Sequence, residues 1–292
     1  MITKVIPFIC CLLLVPVPDV VWSAVTVVDS TGAKIHLPKP ARRIISLAPH
    51  TTELLFAAGA GQWVVGAVSY SDYPKAALAI PRVGGYQSFD YEAIVGLRPD
   101  LILAWKSGNP VSGLEKLARL GYPVYVTEAR SLEDIPVLLR DISKMTATES
   151  QGEREALRFD EHLSQLRKRY ASARKLTVFY QIWRQPLMTV NHEHLINKVI
   201  ALCGGINIFS ELDLLAGSVG VESVLKRNPD VIMINGQGER YTQWSADWQQ
   251  WSQLTAVKNK HVFEINPDTM SRHSPRILQG AEELCSKLDS AR

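Results

Sequence analysis

The side chains that could perform chemistry in this sequence are few, and none is set in a catalytic motif. Ser46, His50 and Asp72 are the residue types of a hydrolytic triad. The sequence has no Gly-x-Ser-x-Gly elbow, no phosphate-binding loop and no dinucleotide fingerprint after a strand. We therefore predict that the protein is not an enzyme, with a secreted hydrolase as the remote alternative.

A second chemical candidate is the pair of imidazoles in His192-Glu193-His194. Two histidines separated by one residue could lie on the same face of a strand and ligate a metal. Asn191 and the charged neighbours instead indicate a solvated turn before a helix at Leu195, and the sequence offers no matched third ligand. We predict no metal site and no resident cofactor.

Aromatic residues form the strongest chemical pattern. They follow short apolar runs typical of strands, and ligands of open α/β sheets bind beyond the carboxyl ends of the strands. One such ring usually packs in a core, but several from both halves of the chain indicate a cleft for a ligand with large apolar faces. These residues are Tyr70, Tyr73, Tyr86, Trp105 and Trp183.

These rings must be positioned by the strands and helices that the sequence predicts, in which short apolar runs alternate with helical patterns. Such alternation predicts parallel α/β architecture. The predicted strands are 44–47, 64–67, 101–104 and 124–126 in the first half, and 178–182, 231–234 and 262–265 in the second.

The segment 148–175 divides the two sets of strands and has the pattern of one long, charged, amphipathic helix. An internal repeat supports two similar lobes, because the sequence from Glu92 to Ala104 returns 130 residues later from Glu222 to Ile234. Each copy predicts a short helix, a Pro-Asp turn and a buried strand. We predict two Rossmann-like lobes, 25–147 and 176–292, joined by this single helix.

The N-terminus predicts export. Residues 1–24 combine an early lysine, an apolar run too short for a membrane span and small residues at the end, as in a secretory signal peptide. The remaining 268 residues suit two domains. The net charge is +3, and the sequence contains no run of basic residues, so we expect no nucleic-acid partner.

Two of the four cysteines fall in the predicted signal peptide, which leaves Cys203 and Cys285. In an oxidising compartment the natural pairing is a disulfide. Two buried free thiols are the alternative, since cysteine is often buried without a bond.

Five motifs carry a resemblance to a known family: RIISLAPHTTEL at 43–54, SYSDYP at 69–74, RPDLILAW at 98–105, CGGINIF at 203–209 and SPR at 274–276. Together they resemble the periplasmic vitamin B12-binding proteins, a branch of the helical-backbone (class III) periplasmic binding proteins. Similarity extends over essentially the whole mature chain. The resemblance implies a monomer in the periplasm that holds cobalamin between two lobes and performs no chemistry on it.

The resemblance also assigns residues. It implies ligand contacts at Tyr70 or Tyr73, Tyr86, Trp105, Trp183, Asp268 and Arg272, and it implies that Glu92 and Glu222 dock the lobes on a dimeric ABC permease with its ATPase subunits. Three positions depart from the family pattern: Tyr86 replaces a tryptophan, His50 a small residue, and Gly217 a second-lobe tryptophan. His50 could therefore bind the ligand or approach its cobalt. Haem or ferric siderophore is the same-fold alternative ligand.

Overall fold

The computed structural model describes residues 24–292, so the predicted signal peptide lies outside the described residues except for its last position. Within residues 24–292, no helix is long and apolar enough to cross a membrane.

The first lobe is built on a parallel sheet of four strands, in the order β4-β3-β7-β8. Two small antiparallel hairpins, β1-β2 and β5-β6, lie outside this sheet. The strands are β1 (Val25–Val28), β2 (Lys34–Leu37), β3 (Ile44–Ser46), β4 (Val64–Ala67), β5 (Gly84–Gly85), β6 (Ser88–Phe89), β7 (Leu101–Trp105) and β8 (Val124–Thr127). The helices are α1 (Pro49–Ala57), α2 (Tyr91–Gly96), α3 (Val111–Arg119) and α4 (Asp134–Thr146).

The second lobe follows the long helix α5 (Glu149–Tyr170) and has its own parallel sheet, in the order β11-β9-β13-β14. Its strands are β9 (Leu176–Gln181), β10 (Met188–Val190), β11 (Gly205–Asn207), β12 (Ala216–Ser218), β13 (Val231–Asn235) and β14 (Val262–Ile265). Its helices are α6 (Leu195–Leu202), α7 (Val221–Arg227), α8 (Glu239–Gln249), α9 (Thr255–Lys258), α10 (Pro267–Met270) and α11 (Ile277–Ser290).

The two main sheets have the same topology. In each, the first strand lies between the second and the third, and the fourth strand pairs with the third. Strands β7 and β13, the third of each sheet, are apolar and almost entirely buried, as expected for parallel sheets covered on both faces. This agreement confirms the predicted fold of two Rossmann-like lobes.

The aspartate of each Pro-Asp turn has the same structural role in both copies of the repeat. The carboxylate of Asp100 accepts hydrogen bonds from the backbone N–H groups of Arg42 and Arg43, both at 2.8 Å, just before β3. The carboxylate of Asp230 accepts one from the N–H of Thr177 in β9, also at 2.8 Å. Each aspartate therefore ties the start of the third strand to the start of the first strand.

Helix α5 connects the lobes and covers most of the predicted segment 148–175, but it ends at Tyr170, five residues before the predicted end. Its buried face includes Phe159, Leu163 and Leu166, which belong to one continuous core with residues of both lobes. Close packing against α4 depends on Gly152, because a Cβ atom there would lie 2.3 Å from the Cβ of Ser143. The helix is thus part of the shared core.

The predicted disulfide is present between Cys203, at the C-terminal end of α6, and Cys285 in α11. Their Cα atoms are 4.8 Å apart and both residues are fully buried. The alternative of two free thiols is therefore wrong in this structure. The bond joins the first helix of the second lobe to its last.

Candidate ligand-binding site

Two aromatic residues of the first lobe, Trp105 and Tyr86, lie side by side with their rings tilted by 43°. Trp105 ends β7, and Tyr86 lies in the turn of the β5-β6 hairpin, with the ring centroids 6.2 Å apart. Asn109 fixes both backbones, since its side chain accepts from the N–H of Trp105 and donates to the carbonyl of Tyr86, both at 2.7 Å. The sequence pattern identified the two rings but not Asn109.

His50 lies next to Trp105. It is in the first turn of α1, is only 4% exposed, and meets the Trp105 ring edge to face at 5.2 Å. Its Nε2 lies 3.3 Å from the hydroxyl of Thr127, which itself donates to the carbonyl of Ala104. The structure therefore packs His50 against Trp105, and its expected contact with the ligand stays a prediction.

Three histidines from both lobes form a cluster, of which His50 and His273 contact Trp105. The ring centroid of His273 lies 5.6 Å from that of His50 and 5.8 Å from that of His194. Burial is the main cause that lowers all three pKa values, to about 4 for His273 and about 3 for His194, and nearby Arg272 and Arg130 lower them further. The cluster is therefore neutral at pH 7.

The structure divides the His192–His194 segment between surface and interior. His192 is exposed, as the predicted turn requires, but the Nδ1 of His194 accepts from the N–H of Ile196 and caps α6. In the described part of the chain, no three acidic, cysteine or histidine side chains are placed to hold a metal ion.

The second lobe contributes Trp183, which follows β9 and is 49% exposed. Its ring rests edge to face on the buried Trp244 of α8, with centroids 5.9 Å apart. The two tryptophans and the neighbouring Arg240 line a cavity of about 440 Å³. Gly217 lies in β12, and the sequence pattern did not identify Trp244 as the residue that packs against Trp183.

The two tyrosines after β4 are exposed on the same loop. Tyr70 is 74% exposed and has a positive φ of 65°, a conformation that is uncommon for a bulky residue. Tyr73 is partly exposed, and the guanidinium of Arg276 lies 3.9 Å from its ring centroid. Arg276 belongs to the other lobe, so Tyr73 marks the lobe boundary.

Arg272 and Asp268 are paired with each other at this boundary. The Nη2 of Arg272 donates to Asp268 at 2.8 Å and its Nη1 donates to Asp72 at 2.6 Å. Burial alone would raise the pKa of Asp72, but the hydrogen bond and charge of Arg272 outweigh it and lower that pKa. Arg272 therefore bridges the two lobes.

Glu92 and Glu222 lie away from these contacts, exposed in the first turns of α2 and α7. Glu222 borders a cavity of about 460 Å³ together with Trp248 and Trp251. The two glutamates occupy equivalent positions on the repeated lobes, as the sequence repeat predicts.

Comparisons with known proteins agree with this fold. The model of the periplasmic binding protein family matches residues 44–269. The chain belongs to this family, and it is a solute-binding protein of the periplasm, not an enzyme.

The sequence relatives include several vitamin B12-binding proteins. The vitamin B12-binding protein of Vibrio cholerae serotype O1 is 37% identical over 272 residues, which cover 92% of this chain and 96% of the relative. That of Pectobacterium atrosepticum is 38% identical over 252 residues, covering 85% of this chain and 88% of the relative.

Solved structures include a vitamin B12-binding protein and a more distant protein of the same fold. The crystal structure of the periplasmic vitamin B12-binding protein BtuF of Vibrio cholerae has a TM-score of 0.81 and 38% identity, covering 86% of this chain and 98% of that one. The periplasmic heme-binding protein RhuT of Roseiflexus has a TM-score of 0.77 at 22% identity, with coverage of 86% and 100%, so it shares the fold alone.

Proposed function

We propose that this protein captures vitamin B12 in the periplasm and delivers it to an ABC importer. The observation that carries the proposal is the likeness to vitamin B12-binding proteins over nearly the whole chain. Exposed aromatic rings from both lobes supply the surface that such a ligand requires. Cobalamin is the cargo, and the protein has no resident cofactor.

The cleft chemistry suits a corrinoid. A corrin is a broad apolar macrocycle edged with carboxamides, so its faces can rest on Trp105, Tyr86 and Trp183. Carboxamide oxygens accept from arginine and carboxamide N–H groups donate to carboxylates, which Arg272 and Asp268 provide. Within residues 24–292, the buried Trp105 Nε1 has no hydrogen-bond partner.

Haem or a ferric siderophore is the competing ligand, and the charges at the lobe boundary disfavour it. Arg272 and Arg276 are already paired with Glu53, Asp72 and Asp268. Three carboxylates and two guanidinium groups leave a net negative charge beside the cleft. Anionic ligands would favour free arginines, because these bind carboxylates in a bidentate manner.

Delivery is proposed to use Glu92 on one lobe and Glu222 on the other. Both side chains are exposed at equivalent places, so pseudosymmetric lobes would present two similar acidic points to a dimeric permease with its ATPase subunits. We propose that a monomer of the binding protein docks this way. Such charge pairs speed and orient encounter more than they affect cobalamin binding.

Gel filtration with aquocobalamin tests the capture step. We expect visible corrinoid absorbance to co-elute with the protein, and an equal amount of haemin to be retained far less. Co-elution of haemin alone would reject the proposal in favour of the rival ligand.

The delivery step is tested with Glu92→Ala combined with Glu222→Ala in reconstituted importer. The double variant should bind corrinoid as wild type does and stimulate transport less, whereas full stimulation at physiological salt would reject the docking assignment. Glu115→Ala, an exposed glutamate on α3, is the matched control.

A further inference from the structure

Glu53 is a buried carboxylate that joins the two lobes. It lies in α1 of the first lobe and is only 3% exposed, yet all of its charged partners come from the segment after α10 in the second lobe. Its Oε1 accepts from Nη1 of Arg272 and Nη1 of Arg276, both at 2.9 Å, and its Oε2 accepts from the hydroxyl of Ser274. These partners are 219 to 223 residues away in the sequence.

A buried carboxylate in this setting depends on its partners, since an unpaired charge in the interior is strongly destabilising. Arg272 in turn depends on Glu53 to hold its guanidinium in place. Its other partners, Asp72 and Asp268, have side chains that are 44% and 55% exposed and can move in solvent. Glu53 is held by a helix whose residues from His50 to Leu55 are buried. Of the three carboxylates, it is the one with a fixed position.

Arg272 retains donors for a ligand while it is held in this way. A guanidinium has five N–H groups, and among the described residues three of them are used, by Glu53, Asp72 and Asp268. The two that remain can donate to carbonyl oxygens in the cleft. Their direction is set by the bonds that the first three make, because the guanidinium is planar and its fork is rigid.

We infer that Glu53 is a positioning residue for ligand binding, which acts through Arg272 and does not itself touch the ligand. The inference rests on the proposed function for its ligand. It assigns to Glu53 two linked effects: it fixes the 271–276 segment of the second lobe against α1 of the first, and it aims Arg272 at the carboxamide edge of the corrinoid.

The test compares Glu53→Gln, Arg272→Gln and the double variant by equilibrium titration with cyanocobalamin. Glu53→Gln should raise the dissociation constant at least tenfold, and the double variant should bind no more weakly than Arg272→Gln alone, because both changes remove the same oriented guanidinium. Glu155→Gln is the matched control. It borders the same 380 Å³ cavity as Glu53, pairs with Arg158 on its own helix, and should change the dissociation constant less than twofold.

Ser274→Ala provides a milder variant in case Glu53→Gln folds poorly. It removes one hydrogen bond to Glu53 without removing a charge, so we expect a weakening of two- to fivefold that vanishes in the Arg272→Gln background. A purely stabilising role would lower the melting temperature and leave the dissociation constant unchanged. Additive effects of Glu53→Gln and Arg272→Gln would overturn the inference.

Hydrogen exchange in the ligand-free protein separates this inference from the proposed function. Glu53→Gln should raise amide exchange in residues 266–276 at least tenfold, whereas Glu155→Gln should not. If wild type binds no cobalamin, the proposed function fails and the exchange result still decides whether Glu53 holds this segment. Unchanged exchange in Glu53→Gln would overturn the inference whatever the ligand is.

Discussion

Acid should destabilise the folded protein through the cluster of His50, His194 and His273. His273 and His194 have folded-state pKa values of about 4 and about 3, below the roughly 6.5 of an exposed histidine. The unfolded chain therefore binds more protons below pH 6.5, and stability falls as the pH drops from 6.5 toward 3. His50, whose pKa is also lowered, acts in the same direction.

The size of the effect follows from these values. At pH 5, a histidine with an unfolded pKa near 6.5 and a folded pKa of 4 or less favours unfolding by about 2 kcal/mol, so the pair contributes about 4 kcal/mol. The cations nearest the cluster are Arg272 and Arg130. Arg130 pairs with Glu128 and Glu193, and Arg272 pairs with Glu53, Asp72 and Asp268. Carboxylates begin to titrate below pH 5, so the useful window is pH 5 to 7.

The assay is urea unfolding at several pH values in this window. The variant His273→Gln with His194→Asn should lose at least half of the acid dependence, and asparagine preserves a capping residue at the start of α6. His192→Gln, on the exposed side of the same turn, should retain the full dependence. An unchanged pH dependence in the double variant would show that these histidines are not neutral by burial and would refute the reasoning.

Three further predictions concern the disulfide, the repeated aspartate and the two aromatic rings of the first lobe. Reduction of Cys203–Cys285, which are 82 residues apart, should cost about 4 kcal/mol of stability and leave corrinoid binding intact; labelling of two thiols in unreduced, unfolded protein would contradict the bond. Asp230→Asn should lower the unfolding free energy by about 2 kcal/mol through weaker bonds to β9, with an unchanged dissociation constant; equal stability would contradict its role. Trp105→Ala and Tyr86→Ala should each weaken cobalamin binding several-fold, since stacked rings add about 0.5 to 1.5 kcal/mol beyond burial; normal binding by both would place the ligand elsewhere.

The sequence was a good guide to the main sheets. Two predicted strands, 64–67 and 262–265, match β4 and β14 residue for residue, and the others differ at their ends by at most two residues. Apolar runs of this kind are diagnostic because both faces of a parallel sheet are covered. The strand β11 was missed, since Gly205–Asn207 is short and lacks such a run.

The site was predicted only in part. Rings at strand ends are visible in a linear pattern, and the structure places Trp105 at the end of β7 and Trp183 just after β9, as predicted. The contacts of Glu53 with Arg272 and of His50 with His273 join residues more than 200 positions apart, and no local pattern encodes them. Trp244, which packs against Trp183, was also missed, because only the packing of α8 brings the two rings together.

The most direct test of the central claim is a calorimetric titration of the wild-type protein with cyanocobalamin, repeated with haemin under the same conditions. The proposed function predicts saturable binding of one cobalamin per chain, with haemin bound at least tenfold more weakly. Saturable binding of haemin with no measurable binding of cobalamin would contradict it.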